Sequence, residues 1–380
     1  MNIVIAIDSF KGSLSSVMAG NAVAEGIKRI DKDAETNVVS IADGGEGTVE
    51  SLVLGRNGKK RKITVTDPLG RKIECEYGII DNNTAAIEMS AAAGITLLEK
   101  SELNPLYTTT YGVGEIIRDA IEQGCRDFVI GIGGSATNDG GIGMLQALGF
   151  GILDRDGRQV RYGALGLKDV ETITAENAMP FLSECNFNIA CDVKNPLCFE
   201  NGCSAVFARQ KGADDRMIAD MDGWLYRYSG IVKKTFPKAD IDKEGAGAAG
   251  GLGYAFMSFL NGKLGSGIDL VLSKVGVEEK IENADLVITG EGRLDGQTVM
   301  GKAPIGIARI AKKYGKTVIA FSGCTTRDAR VCNEHGIDAF FPILRGICTL
   351  DEAMNTENAF CNLADTAEQV YRLYNINRGV

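Results

Sequence analysis

The chain has 380 residues, more than one hydrophobic core usually serves, so it predicts two α/β domains with an active site in the cleft between them. Fifty acidic against 41 basic residues leave a net charge of −9, and no Lys/Arg block stands ready to follow a phosphate backbone or an anionic bilayer, which excludes nucleic acid and lipid surfaces as expected partners. Ten cysteines without a C-x-x-C pair and one histidine, His335, exclude disulfide scaffolding, the usual zinc spacings and Ser-His-Asp chemistry.

In chain order, Ile3-Val4-Ile5-Ala6-Ile7 is a continuous apolar run of the kind a parallel strand needs when both faces are covered. It begins without a basic region or a small-residue cleavage site, and no apolar run reaches the length of a membrane span, so a cytoplasmic protein is expected. Ala19, Val23, Ile27 and Ile30 follow at helical spacing, and Val38 to Ile41 restores a strand. Lys62 to Thr66 and Ile73 to Tyr77 then alternate around Asp67-Pro68-Leu69-Gly70, a hairpin signature that places a new domain near residue 60. Inside it, Val113, Ile116, Ile117, Ala120 and Ile121 mark a helix stripe ahead of a buried strand at Phe128 to Ile132. Short strands at Leu286 to Ile288, Val318 to Phe321 and Ala339 to Phe341 return to the style of the beginning. The predicted architecture is a discontinuous Rossmann-like α/β domain, residues 1–60 and 285–380, interrupted by an inserted α/β domain with a β-hairpin, residues 61–284, each in three layers.

Five clusters of glycine and polar residues fall at strand ends or helix starts, where open α/β sheets bind ligands. Asp8 to Ser13 offers the hydroxyl of Ser9 and the point charge of Lys11 for a carboxylate or phosphate. Ala42 to Thr48 places Asp43 and Glu46 three residues apart around Gly44 and Gly45, suited to magnesium or to holding hydroxyls. Gly131 to Gly141 joins a strand to a helix, and Gly133, Gly134, Ser135, Thr137 and Asn138 suggest an anion nest at that helix start. Gly131, Gly133 and Ala136 also satisfy G-x-G-x-x-A, with Asp154 where a ribose-binding acid would be sought, so a nicotinamide oxidoreductase is a competing reading; a non-catalytic nucleotide-binding regulator is another. Asp192 ends a strand before Asn195-Pro196 and is a candidate general base or metal ligand. Gly245 to Gly251 suggests a phosphate loop or a tight helix start. Thr289 to Asp295, expected to follow the strand at 286, carries Glu291, Arg293 and Asp295. Downstream, Gly296 to Lys302 fits G-x-x-x-x-G-K, but Ala303-Pro304 replaces the hydroxyl residue that would hold magnesium, so it is not a Walker loop.

These clusters, in this order, closely resemble the type I glycerate kinases. The resemblance runs through Asp8 to Leu14, Ala42 to Thr48, Glu88 to Gly94, Gly131 to Gly143, Ala190 to Leu197, Gln210-Lys211-Gly212, Gly245 to Gly251, Ser266 to Ile268 and Leu286 to Pro304. Ile7 stands where that family commonly has proline, and Ala208-Arg209 where it has Gly-Pro. The resemblance implies ATP and Mg2+ as cofactors and phosphorylation of D-glycerate, 2-phosphoglycerate being the favoured product, with a homodimer admissible. On it, Lys11, Asp192 and Arg293 are expected to be catalytic, and Ser9, Asp43 and Gly44 to bind substrate. Gly133, Gly134, Ser135, Thr137 and Asn138 are expected to bind nucleotide phosphates, and Glu46 and Asp295 the metal.

Overall fold

Ile3 to Ile7 are all sealed from solvent, as burial of both faces of a parallel strand requires. The computed structural model describes residues 1–45 and 47–376; the expectation for Glu46 therefore lies outside the described residues. The chain forms two compact units, one of Met1–Asp43, Glu50–Arg56 and the residues from Ile268 onward, the other of Gly44–Val49 and Asn57–Gly267.

The first unit holds a five-stranded parallel sheet in the order Ala339–Pro342, Thr317–Thr325, Leu286–Leu294, Asn2–Ile7, Glu35–Val38. Ile3, Ile5 and Ile7 meet Ala19, Val23 and Ile27 of helix Ser16–Lys28 and Leu363, Ala364 and Ala367 of helix Thr356–Asn375. Helix Ala303–Lys313 packs against the three central strands from the opposite face, completing three layers. The strand expected at Val38 to Ile41 ends at Val38. The boundary expected at 285 moves to 268, because Ile268 and Leu272 pack at Gly306 and Val275 at Gly55, all within the first unit. From Asn2–Ile7 the chain steps through its helix to Glu35–Val38 on one side; from Leu286–Leu294 it steps to Thr317–Thr325 and Ala339–Pro342 on the other. Strand order therefore reverses between Asn2–Ile7 and Leu286–Leu294, and a crevice opens at their carboxyl ends.

The inserted unit holds a six-stranded mixed sheet in the order Lys263–Gly265, Asn186–Ala190, Asp127–Gly131, Thr84–Glu88, Lys72–Ile80, Lys59–Thr66. The first four run parallel and the last two form the expected hairpin, with Lys62 opposite Glu76 and Thr66 opposite Lys72. Asp67 closes its turn by accepting the Leu69 and Arg71 amides at 2.8 Å each, the use of an aspartate that turns favour. Helix Tyr111–Glu122 buries Val113, Ile116, Ile117, Ala120 and Ile121, the stripe its spacing predicts. Among the described residues no helix is long and apolar enough to cross a membrane.

Candidate active site

At the strand-order reversal of the first unit lies a cavity of about 490 Å3. One end is polar and collects Asp8, Ser9, Lys11 and Asp43 from beyond the first and second strands, with Glu291, Arg293, Asp295 and Lys302 from the Leu286 strand and its sequel. Phe10, Ile343, Leu350 and Met354 supply apolar lining. Thr289 to Leu294, expected just past a strand, is strand itself through Leu294; its pairing with Thr317–Thr325 extends to Leu294↔Thr325. That extension carries Glu291 and Arg293 on a hydrogen-bonded backbone rather than on a free loop.

Lys11 is mostly exposed, and its Nζ lies 3.4 Å from Asp43 Oδ2. Such an exposed pair adds little to stability. Glu291 is buried; Thr298 donates to its Oε1 at 2.7 Å, and Lys302 Nζ lies 3.4 Å from Oε2 and 3.8 Å from Asp295 Oδ1. Burial pushes the Glu291 carboxyl up, opposed by those two donors. Arg293 is exposed, its Nε 3.4 Å from Asp295 Oδ2. Asp8 is 6% exposed; its amide donates to Gly290 O at 2.9 Å and its Oδ1 accepts the Ser9 amide at 2.7 Å. Burial foremost and then the Asp43 charge push its carboxyl up to about 7, against the pull of the Ser9 amide and Lys11, with Glu291 adding to the rise.

Sequence reasoning passed over Asp8, Glu291 and Lys302 as site residues, although Asp8 directly follows the first strand and Glu291 stands between two glycines. Lys302 is the N-cap of helix Ala303–Lys313, with Pro304 in the first turn, so it serves the carboxylates rather than a phosphate loop. Ala303→Ser should accordingly leave magnesium-nucleotide affinity unimproved by calorimetry; tighter binding would restore the phosphate-loop reading.

In the inserted unit, the Gly131–Gly141 connection differs from the expected nest at a helix start. The helix begins only at Ile142, and its first amides already have an acceptor. Asp139, fully buried, accepts the Gly141 amide at 3.0 Å and the Gly143 amide at 3.4 Å, together with the Thr110 amide and hydroxyl at 2.9 Å each. A G-x-G-x-x-A turn binds a dinucleotide by opening directly onto a helix N-terminus, and this one does not. Gly133 and Gly134 are exposed, whereas Ser135 is buried and Thr137 and Asn138 are sealed, Asn138 donating to Ser204 Oγ at 2.9 Å. Of the five residues expected to bind nucleotide phosphates, only Gly133 and Gly134 are therefore exposed. Lys211, 2% exposed, donates to Ser135 Oγ at 2.8 Å and Thr137 O at 2.6 Å. Its only sequence signal was the Gln210-Lys211-Gly212 stretch.

The Gly245–Gly251 string is no phosphate loop. A Cβ on Gly247 would lie 2.2 Å from Pro196 O, one on Gly250 2.1 Å from Thr137 O, and one on Gly251 2.8 Å from Gly140 Cα. These glycines exist to let one backbone support another. Gly44 is similar, at φ +90° with Gly267 Cα 2.6 Å and Ala190 Cβ 2.8 Å from where its Cβ would be; it is buried in the inserted unit and shapes the turn. Asp192 is exposed at the end of strand Asn186–Ala190 and accepts the Gly267 amide on Oδ1 at 3.1 Å. His335 closes the helix Val331–Glu334, its Nδ1 2.9 Å from Val331 O.

Among the described residues no group of three or more His, Cys, Asp or Glu is placed to hold a metal ion. Magnesium ordinarily takes one or two carboxylates and completes its shell with water and substrate phosphates, a demand that Asp295, at the polar edge of the cavity, fits.

A ligand crevice at a sheet's switch point, lined by an exposed lysine and half-buried acids, defines an α/β enzyme that handles small anionic substrates. The model of the glycerate kinase family matches residues 3–375. The chain is 45% identical to the glycerate 2-kinase of Escherichia coli K12 over 371 residues, 97% of each chain, and 45% identical to the glycerate kinase of Bacillus subtilis 168 over 354 residues, 93% of each. A crystal structure assigned to glycerate kinase 2 of Salmonella typhimurium LT2 superposes with a TM-score of 0.92 at 42% identity, covering all of both chains. The chain belongs to the glycerate kinase family, and is a phosphotransferase.

Proposed function

We propose that the chain transfers the terminal phosphoryl group of ATP to a hydroxyl of D-glycerate, with Mg2+, giving 2-phosphoglycerate in preference to the 3-isomer. The observation that carries this reading is the polar end of the cavity in the first unit. A three-carbon hydroxy acid asks for a cation at its carboxylate and acceptors at its hydroxyls, and Lys11 beside Asp43, Asp8 and Ser9 supplies both. Such an acid fills only part of about 490 Å3, so charge placement rather than shape must select it. Gly133, Gly134 and Ser135 are proposed to take the ATP phosphates through backbone amides, Arg293 to meet charge spread over the transferred group, and Asp295 to ligate Mg2+, which neutralises phosphate charge when bound. The preference for the 2-position is supported by the name of the Escherichia coli relative.

Phosphorus NMR of the reaction of ATP, Mg2+ and D-glycerate tests activity and position together. The expected product is a phosphomonoester whose phosphorus is split into a doublet by the single C2 proton; a triplet from the C3 methylene would reverse the regiochemistry. Absence of glycerate-dependent ADP in a folded sample would sink the proposal.

A further inference from the structure

The general base expected from the sequence was Asp192, and the cavity offers another carboxylate for that role. Asp8 stands at the carboxyl end of the first strand, at the reversal of strand order, and lines the polar end of the cavity with Lys11, Asp43 and Glu291 around it. It is more than nine-tenths buried. Its Oδ1 is engaged by the Ser9 amide, and among the described residues its Oδ2 accepts no hydrogen bond. Asp8 lines the cavity, so that oxygen is open to a donor from a ligand hydroxyl there. Asp192, by contrast, is exposed and engaged with the Gly267 amide.

Resting on the glycerate reading above, we infer that Asp8 is the general base of the phosphoryl transfer, its Oδ2 accepting the proton of the attacking glycerate hydroxyl. As that oxygen forms its bond to the terminal phosphorus of ATP, the bond from phosphorus to the bridging oxygen breaks and ADP leaves with the electron pair. The proton ends on Asp8 and is returned to water after product release. The cavity also sets the proton affinity of the base: burial and the charges of Asp43 and Glu291 hold the carboxyl near 7, with Lys11 and the Ser9 amide pulling the other way. A base titrating close to the working pH combines ionisation with proton affinity.

The test measures kcat and glycerate KM of wild type, Asp8→Asn and Asp192→Asn between pH 5.5 and 9 at saturating magnesium-ATP, with glycerate affinity by calorimetry. In wild type kcat/KM should rise about tenfold per pH unit up to an inflection near 7. Asp8→Asn should lose about 10²–10⁴-fold in kcat, lose the acid limb, and keep glycerate affinity within a few-fold. Retention of more than a tenth of kcat with the acid limb in place overturns the assignment, and Asp192→Asn is then the variant that should abolish that limb. Should Asp8→Asn not fold, the wild-type profile still decides, because a flat profile from pH 5.5 to 8 excludes a base of this kind. A wild-type protein without glycerate-dependent turnover refutes the glycerate reading instead, an outcome visible before any variant is made.

Discussion

Lys211→Arg is expected to destabilise the inserted unit by about 3 kcal/mol or more, while Lys211→Met is nearly neutral at pH 7 and destabilising at pH 10. The lysine is 2% exposed and donates to Ser135 Oγ and Thr137 O, with no ion pair among the described residues. Burial draws its ammonium down from 10.5 to about 8, a difference that corresponds to about 3 kcal/mol against folding below pH 8. Between pH 8 and 10.5 the unfolded chain holds a proton the folded chain has released, so the cost disappears as pH rises through that window. Methionine removes the buried charge but leaves the Thr137 carbonyl without its donor, a loss of about 1–3 kcal/mol. The two effects nearly offset at pH 7; at pH 10 only the loss remains. Arginine keeps the charge at every accessible pH and adds bulk to a filled site, about 1–3 kcal/mol of overpacking on top of the misfit of its donors. Thermal or urea midpoints of the three proteins at pH 7 and 10 check this. An arginine variant as stable as wild type would mean that Lys211 is not confined as described. Both substitutions release the tether under Gly133 and Gly134, so affinity for ATP should fall in each, measured by calorimetry.

The sheets and their helices were legible because buried parallel strands leave continuous apolar runs and their helices a regular stripe: Ile3 to Ile7 and Val113 to Ile121 state their burial in their spacing. The candidate acids near Lys11 were partly legible for a related reason, since strand ends in open sheets are where ligands bind. What glycine was for could not be read. Gly131 to Asn138 and Gly245 to Gly251 look alike as strings, yet one exposes Gly133 and Gly134 while the other exists to pass under Thr137 and Gly140. A glycine records only that a side chain is forbidden, not whether a ligand or a neighbouring backbone forbids it. The same limit hid Lys211 and Asp139. A buried charge is recognised by its partners, and those of Asp139 are amides and hydroxyls at residues 110, 141 and 143. Asp8 was hidden by habit of composition: an aspartate after a strand is usually a turn residue, and only its burial beside Asp43 and Glu291 distinguishes it.

That burial makes Asp8→Asn a stabilising substitution whose benefit grows with pH. The Asp8 carboxyl titrates near 7 in the folded chain against 3.8 as its ordinary value. Below 3.8 both states carry the proton and the site costs nothing. From there to about 7 the folded chain keeps a proton that the unfolded chain has lost, so stability declines with rising pH and the full cost, about 4 kcal/mol, is reached above pH 7. Asparagine has the same shape, still accepts the Ser9 amide through its oxygen, and carries no charge to repel Asp43 or Glu291. Wild type and variant should therefore differ by about 1–2 kcal/mol at pH 5 and by about 2–4 kcal/mol at pH 8, the variant being the more stable at both. With roughly 2–4 °C per kcal/mol for units of this size, the separation of their melting midpoints should widen by several degrees across that range. A charge kept at such cost is expected where a site trades stability for reactivity, so the variant should be the more stable protein and the poorer enzyme. Equal midpoints at pH 8 would show that the carboxylate is solvated in solution, and its place as a base near neutrality would be lost with its desolvation.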